Sequence, residues 1–418
     1  MDYKKINKNG VNYHLIKTDR FKTINVVLFL TKEFDKNNIC CGNFITNTLV
    51  YSSKKYDTKN KMASIGEDLY GAKVSASYSI IGNCESFAFT LDFLNPKYSE
   101  ESYLDESLDF LYEVLLNPNV NNNAFNKEYF EIVRNDTIAN YNAIKDNPNM
   151  FAGIEFSKIM YKGTPNEYST YPSVEECKKI TPEKLYQFYK SLFDGHYKVD
   201  ICILGDVEDS IVDKVYNKFK TIKSNTNKYK FMVKHKYDDK VIEKIDALPY
   251  NQSKLYIGYR LNDMSYHEIN HVMKVYNTIL GTMNDSILFN VVREANSLCY
   301  SIGSYISKYN PALIVYAGIN KDNYEKTIEL IKECVSNMNN KKELKRLFDS
   351  AKKTINTYLN NYYDDMNLEI NNYYTGEFDT VEDVETLRES INKVTIDEVI
   401  EINNKISLST IYMLKGDN

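Results

Sequence analysis

Tryptophan is absent from this 418-residue chain, and histidine (5), proline (8) and glycine (15) are scarce. No stretch reaches the roughly 20 apolar residues of a membrane span. The opening Met1-Asp2-Tyr3-Lys4-Lys5 is polar and no apolar h-region follows, so secretion and membrane partners are not expected and a cytoplasmic location is. Clustered Lys and Arg are missing too. Basic residues come as short pairs among acids, such as Lys54-Lys55 and Lys352-Lys353, and the net charge is -5, which argues against a nucleic-acid partner. The seven cysteines are odd in number, scattered and without C-x-x-C; the vicinal Cys40-Cys41 suits neither an ordinary disulfide nor a tetrahedral metal site. Reduced thiols are the expected state.

What is present is an ordinary globular balance, 43% hydrophobic and 26% charged, in a chain long enough for two or more domains. Two halves carry the same order of elements. In the first, Asn12–Lys17 and Thr23–Leu30 read as strands, a helix starts near Gly42, strands Ala72–Ile81 and Glu85–Leu94 meet at Gly82-Asn83, and Tyr103–Leu116 has helical spacing. In the second, strand Ser253–Tyr259 precedes a helix over Tyr266–Leu280. A helical Ser286–Glu294, strands Leu298–Ile306 and Ala312–Ile319, and the helix Asn323–Met338 follow. The offset stays near roughly 224 residues, the mark of an internal duplication. Each half runs on into a helix-rich segment and one further strand, Val199–Gly205 or Leu408–Leu414. The expected architecture is α+β: two homologous modules, 1–225 and 251–418, each a mainly antiparallel sheet with helices on one side, joined by a charged linker at 226–250. Tyr362-Tyr363 and Tyr373-Tyr374 read as core and rim packing.

His267-Glu268-Ile269-Asn270-His271 matches H-E-x-x-H, in which two histidines on one helix face bind zinc and the glutamate polarises a bound water. Such a site needs a third ligand from a later helix, and Glu294 stands at a conceivable distance. The competing reading makes His267 and Glu268 polar first-turn residues of an exposed helix start.

Ile180–Glu208, closing the first half, and Ser286–Ile302 (SILFNVVREANSLCYSI), in the second half, resemble two blocks of the M16 (pitrilysin, or inverzincin) metallopeptidase family in its short, paired-subunit form. Active members place H-x-x-E-H on the first helix of the first half. Here that stretch reads Asn43-Phe44-Ile45-Thr46-Asn47, so Asn43 and Asn47 replace the ligand histidines and Thr46 the catalytic glutamate. The helix expected to carry the third ligand offers only Asp136. Neutral amides are poor zinc ligands and a threonine is no general base at neutral pH.

The resemblance therefore implies no catalytic residue, metal or cofactor in this chain, with zinc in a partner M16 subunit that keeps H-x-x-E-H. It also implies that Arg293 and Tyr300, seven apart, are the family's substrate-binding pair, gripping a peptide cleaved at the partner's zinc. A peptidase-like scaffold that binds without proteolysis is the alternative. Similarity to the inactive members of bacterial M16 pairs associated with elongation factor P modification points the same way.

Overall fold

The computed structural model describes residues 2–237, 240–380 and 382–417. The chain forms two compact units. The first comprises Met1–Ala143, Ser169–Phe231 and Tyr363–Val381; the second comprises Ile144–Tyr168, Met232–Tyr362 and Glu382–Asn418. Each unit thus includes a segment from the opposite half of the sequence.

The first unit holds β1 (Asp2–Lys8), β2 (Val11–Lys17), β3 (Thr23–Glu33), β4 (Lys73–Ile81), β5 (Cys84–Leu94), a two-residue pair β6 (Val120–Asn121) and β7 (Ala124–Phe125), and β8 (Lys198–Gly205). Its main sheet runs β1-β2-β8-β3-β5-β4, antiparallel except where β2 meets β8. Strand alternation sends Val26, Leu28 and Leu30 of β3, with Val199, Ile201 and Ile203 of β8, into a core shared with the Ile39–Tyr51, Leu104–Leu116, Pro182–Leu192 and Ile211–Phe219 helices. Gly42 allows the first of these helices to touch the sheet, because a Cβ there would stand 2.8 Å from the Tyr78 ring.

The second face of this sheet is also apolar, and the Met366–Thr375 helix covers it against β8 and β2. Tyr374 lies flat on Phe29, ring centroids 3.7 Å apart, and its hydroxyl pairs with Thr31 (2.6 Å) and Ser86 (2.7 Å). Tyr373 stacks on Tyr3 at 4.2 Å, and Arg20 pairs with the buried Glu369 at 2.5 Å. The sequence places helices on one side only. A strand such as TINVVLFL, buried on both faces, demands a cover on each.

The second unit repeats the plan with β9 (Ile242–Ala247), β10 (Ser253–Leu261), β11 (Cys299–Ser307), β12 (Ala312–Ile319) and β13 (Ile406–Lys415), ordered β11-β12-β10-β13-β9. Only β13 and β9 run parallel. Strand β9 lies within the charged stretch 226–250. Leu255, Ile257, Leu313, Val315 and Met413 face the main core, built with the helical run 266–282 and the Tyr324–Ser336 and Lys341–Asn360 helices. The opposite face is covered by Pro148–Met160, whose Ala152, Phe156 and Met160 pack on Ile314, Tyr412 and Leu414. Gly258 is the contact point, since a Cβ there would approach the Met160 sulfur to 2.6 Å. No helix among the described residues is long and apolar enough to cross a membrane.

If the second-face helix is integral to the first unit, Tyr374→Ala should cost about 3–5 kcal/mol through the cavity it opens. Tyr374→Phe should cost about 1–2 kcal/mol, because two buried hydroxyls lose their shared partner. Amide exchange across β3 and β8 under mild denaturant measures both; unchanged protection in the alanine variant would refute the assignment.

Candidate functional site

The Ile39–Tyr51 helix is anchored at its start by Glu85, fully buried at the head of β5. Its carboxylate accepts from Tyr197 Oη (2.8 Å), the Asn38 side chain (2.9 Å) and the Asp35 amide (3.4 Å). On the helix, Asn43 donates to the Thr170 carbonyl at 3.3 Å. Thr46, nearly buried, returns its hydroxyl to the carbonyls of Asn43 (2.9 Å) and Gly42 (3.3 Å), and Asn47 donates to Asn43 O at 2.9 Å. All three positions therefore spend their donors on backbone carbonyls. Asp136 is exposed on the Lys127–Asp146 helix. Two amides and a hydroxyl do not fit a catalytic zinc, which takes His, Cys or carboxylate ligands. No step of hydrolysis can be built on this helix.

The H-E-x-x-H pentapeptide folds at the start of a helical run, wound in i→i+5 fashion over Glu268–Val272. Glu268 accepts from the Ser265 amide (2.7 Å) while the Ser265 hydroxyl accepts from the Glu268 amide (3.3 Å), a capping box. Its carboxylate also pairs with Lys405 at 2.7 Å. Burial opposes its charge, but the Lys405 and Ser265 hydrogen bonds win and hold its pKa below the ordinary value. The two imidazoles touch through their Nδ1 atoms (2.9 Å), while the Nε2 atoms point to different carboxylates: His267 to Glu398 (2.9 Å), His271 to Glu382 (2.8 Å). Each nitrogen has a partner and Glu268 faces Lys405, so the geometry is that of a capped, cross-linked helix start. Glu294 is exposed beside Arg293, 3.8 Å from its Nε.

Arg293 and Tyr300 sit on either side of the turn between a helical segment, Phe289–Ala295, and β11. Strand β11 is a free edge of the five-stranded sheet. Its pairing with β12 skips a residue: Cys299 opposes Ile319 and Ser301 opposes Gly318, leaving Tyr300 in a bulge. The tyrosine is consequently 63% exposed, the highest value among the large exposed hydrophobic and aromatic side chains. Arg293 is likewise exposed, its guanidinium 4.8 Å from the Phe289 ring. Gly281 lets the preceding helical run approach β11, since a Cβ there would meet Ser304 Oγ at 2.4 Å.

One charged cluster has no counterpart in the sequence reading. On the second face of the first unit's sheet, His14 and Asp200 are fully buried and face Glu377; one ligand-type atom from each lies within 4.8 Å of the others. Among the described residues it is the one group of three such side chains close enough to hold a cation. The charges are already balanced, however. Lys5 sits 2.5 Å from Glu377, and Lys198 is 3.1 Å from Asp200 and 3.2 Å from Glu377. Asn12 donates to Asp200 at 2.9 Å, and Tyr3 is 2.9 Å from His14 Nδ1. Burial pushes the Tyr3 phenol up, and His14 Nε2 lies 3.3 Å from Asp200. Two ammonium groups stand where a metal would need open carboxylates, so the cluster serves as a polar clamp between the sheet and the end of the Met366–Thr375 helix. Its only trace in the sequence is a lone acid and a lone histidine in otherwise apolar strands, VDICILG and NYHLIK.

A family model described as the Peptidase M16 inactive domain matches residues 179–355. Across almost the whole length, the chain is 26% identical to a Bacillus subtilis (strain 168) protein named "Probable inactive metalloprotease YmfF", covering 97% of this chain and 96% of that one. The "Uncharacterized zinc protease YmxG" of the same organism is 22% identical over 270 residues, 64% of this chain and 63% of its own length. Among solved structures, a conserved protein from Enterococcus faecalis V583 superposes with a TM-score of 0.93 at 23% identity, covering 100% of this chain and 99% of the other. A peptidase M16 inactive domain from Pseudomonas fluorescens gives 0.80 at 15% identity, covering 100% and 98%. The duplicated α+β fold is thus the M16 peptidase fold. The chain is similar to the M16 inactive domain over residues 179–355, and over almost its whole length to a probable inactive metalloprotease.

The clamp makes stability acid-sensitive. Burial, the largest influence on Asp200, raises its pKa, but the His14 hydrogen bond, Lys198 and Asn12 outweigh it and leave the carboxyl below its ordinary 3.8. A folded-state pKa below the unfolded one contributes stability that is present above the unfolded value and lost as pH falls through the folded value. The urea midpoint should therefore drop as pH is lowered from about 5 to 3. Asp200→Asn should flatten that slope and lower the unfolding free energy at neutral pH by about 3–5 kcal/mol, and the midpoint with it. An unaltered acid slope in the variant would show that Asp200 does not carry it.

Proposed function

We propose that this chain is the non-catalytic, substrate-binding subunit of a heterodimeric M16 zinc peptidase. The observation that carries the reading is the exposed pair Arg293 and Tyr300 at a bulged, unpaired sheet edge, in a chain whose Asn43, Thr46 and Asn47 cannot hold the metal. A partner subunit with intact H-x-x-E-H would supply zinc and the general base.

The residues suit the task. An extended peptide can add to the free edge of β11 through backbone hydrogen bonds. The Arg293 guanidinium offers a rigid fork of donors to a substrate carbonyl or carboxylate, and the Tyr300 hydroxyl can donate to an oxygen that gains charge as the bond breaks. Both side chains are exposed, Arg293 in contact with its neighbours Glu294 and Phe289, so a ligand can reach both. Seven free cysteines suit a reducing, cytoplasmic setting.

The test reconstitutes the full chain with an M16 subunit carrying H-x-x-E-H and follows cleavage of a fluorogenic peptide. Arg293→Ala with Tyr300→Ala should lower kcat/KM by about 100-fold or more, the scale of losing oxyanion donors. Pair formation should survive, because both residues are exposed. Unchanged cleavage would remove the proposed role. Stable peptide binding without cleavage in any reconstituted pair would instead assign the chain as a peptide-binding scaffold.

A further inference from the structure

Whereas the His14 clamp is charge-balanced, a second buried charge is not. Arg260, near the end of β10, is 8% exposed and has no ion-pair partner among the described residues. Its Nη2 donates to the Met160 carbonyl at the end of the Pro148–Met160 helix. Tyr237 lies over the guanidinium, 3.3 Å from its central carbon, and Tyr161 stands 5.7 Å away. Among the described residues, Nε and Nη1 are buried without a hydrogen-bond partner. Burial pulls the guanidinium pKa down, a sign of uncompensated charge, since only the two tyrosines act against it. Arginine cannot escape this cost by losing its proton, and an unpaired buried cation is expensive.

Arg260 forms part of the wall of a cavity of about 700 Å³ in the second unit. Lys234, His235 and Lys236 stand around it, each exposed, and no ion pair holds either lysine among the described residues. His235 is fixed by the Tyr237 ring (centroids 4.5 Å apart) and by Gly163, where a Cβ would come within 3.1 Å of the imidazole. Tyr237 is in turn oriented by Asn310, itself buried and bonded to Thr164. Asp263 is the one acid in the described lining; Asp238 and Asp239, next in sequence, lie outside the described residues. The cavity therefore gathers four basic side chains against one carboxylate, around a buried arginine with unspent donors.

We propose that this cavity is an oxyanion-binding site, taking a carboxylate or phosphate group against Arg260 with Lys234, His235 and Lys236 around it. The chemistry is that of guanidinium and ammonium recognition of oxyanions, strengthened where water is excluded. It does not depend on the peptide-binding role of Arg293 and Tyr300.

Isothermal titration of the full chain at low ionic strength tests it, using inorganic phosphate, N-acetyl-alanyl-alanine with a free carboxylate, and the same dipeptide as its amide. Saturable binding of phosphate or of the free carboxylate, with none of the amide, is expected. Phosphate alone would assign a phosphoryl group as the ligand, and the carboxylate alone a chain end. Arg260→Gln should weaken binding by about 10-fold or more, and Lys234→Ala with Lys236→Ala by about 3- to 10-fold. The lysine pair is exposed, so that variant decides the matter if Arg260→Gln does not fold. Asp238→Asn with Asp239→Asn should leave binding intact or tighten it. Absence of saturable binding to either oxyanion, equal binding of the amide, or affinity unchanged in the lysine variant would overturn the proposal.

Discussion

Each of the two large sheets is apolar on both faces, and the second face is closed by one helix from the opposite half of the sequence. Met366–Thr375 buries Tyr374 against Phe29 in the first unit, and Pro148–Met160 seats Phe156 and Met160 on Gly258 in the second. A sheet with an uncovered apolar face is not a stable structure in water. The two sequence repeats are therefore not two self-sufficient folding units. The polar clamp of His14, Asp200 and Glu377 belongs to the same arrangement, because it ties the sheet of the first unit to the end of its covering helix.

The two helical regions made equivalent by the repeat differ in chemistry. In the first unit the Ile39–Tyr51 helix packs Gly42 against Tyr78, and Thr46 and Asn47 fold their side chains back on carbonyl groups. In the second unit the helical run ends near Gly281, and the next segment leads into a bulged edge strand that holds Tyr300 in solvent with Arg293 exposed before it.

Much of the fold was legible in the sequence, because TINVVLFL, VDICILG and SKLYIGY are apolar β-branched runs with few other ways to be buried. The helix carrying Asn43, Thr46 and Asn47 was legible as a helix as well. The borrowed helices were not: MNLEINNYYT carries a mixed pattern whose meaning depends on a partner sheet far away in sequence. Strand β1 and the edge strand β9 were equally hidden, as short polar segments whose pairing is supplied by neighbours. The H-E-x-x-H pattern is the opposite case, a signature with two readings. Its glutamate three residues after Ser265 makes a capping box, and a helix start produces that spacing without any metal. Buried charges joined over long separations, as in His14 with Asp200 and Glu377 or Arg260 with Met160, leave only an isolated polar residue in an apolar strand as their trace.

Metal analysis decides whether this chain holds a catalytic zinc of its own. The purified full chain would be equilibrated with zinc, freed of loosely held ions by gel filtration, and its metal content measured by mass spectrometry. Well under one zinc per chain, unchanged by His267→Ala, is expected of a subunit that borrows its metal. One tightly held zinc per chain, lost on replacing His267 or His14, would contradict that reading.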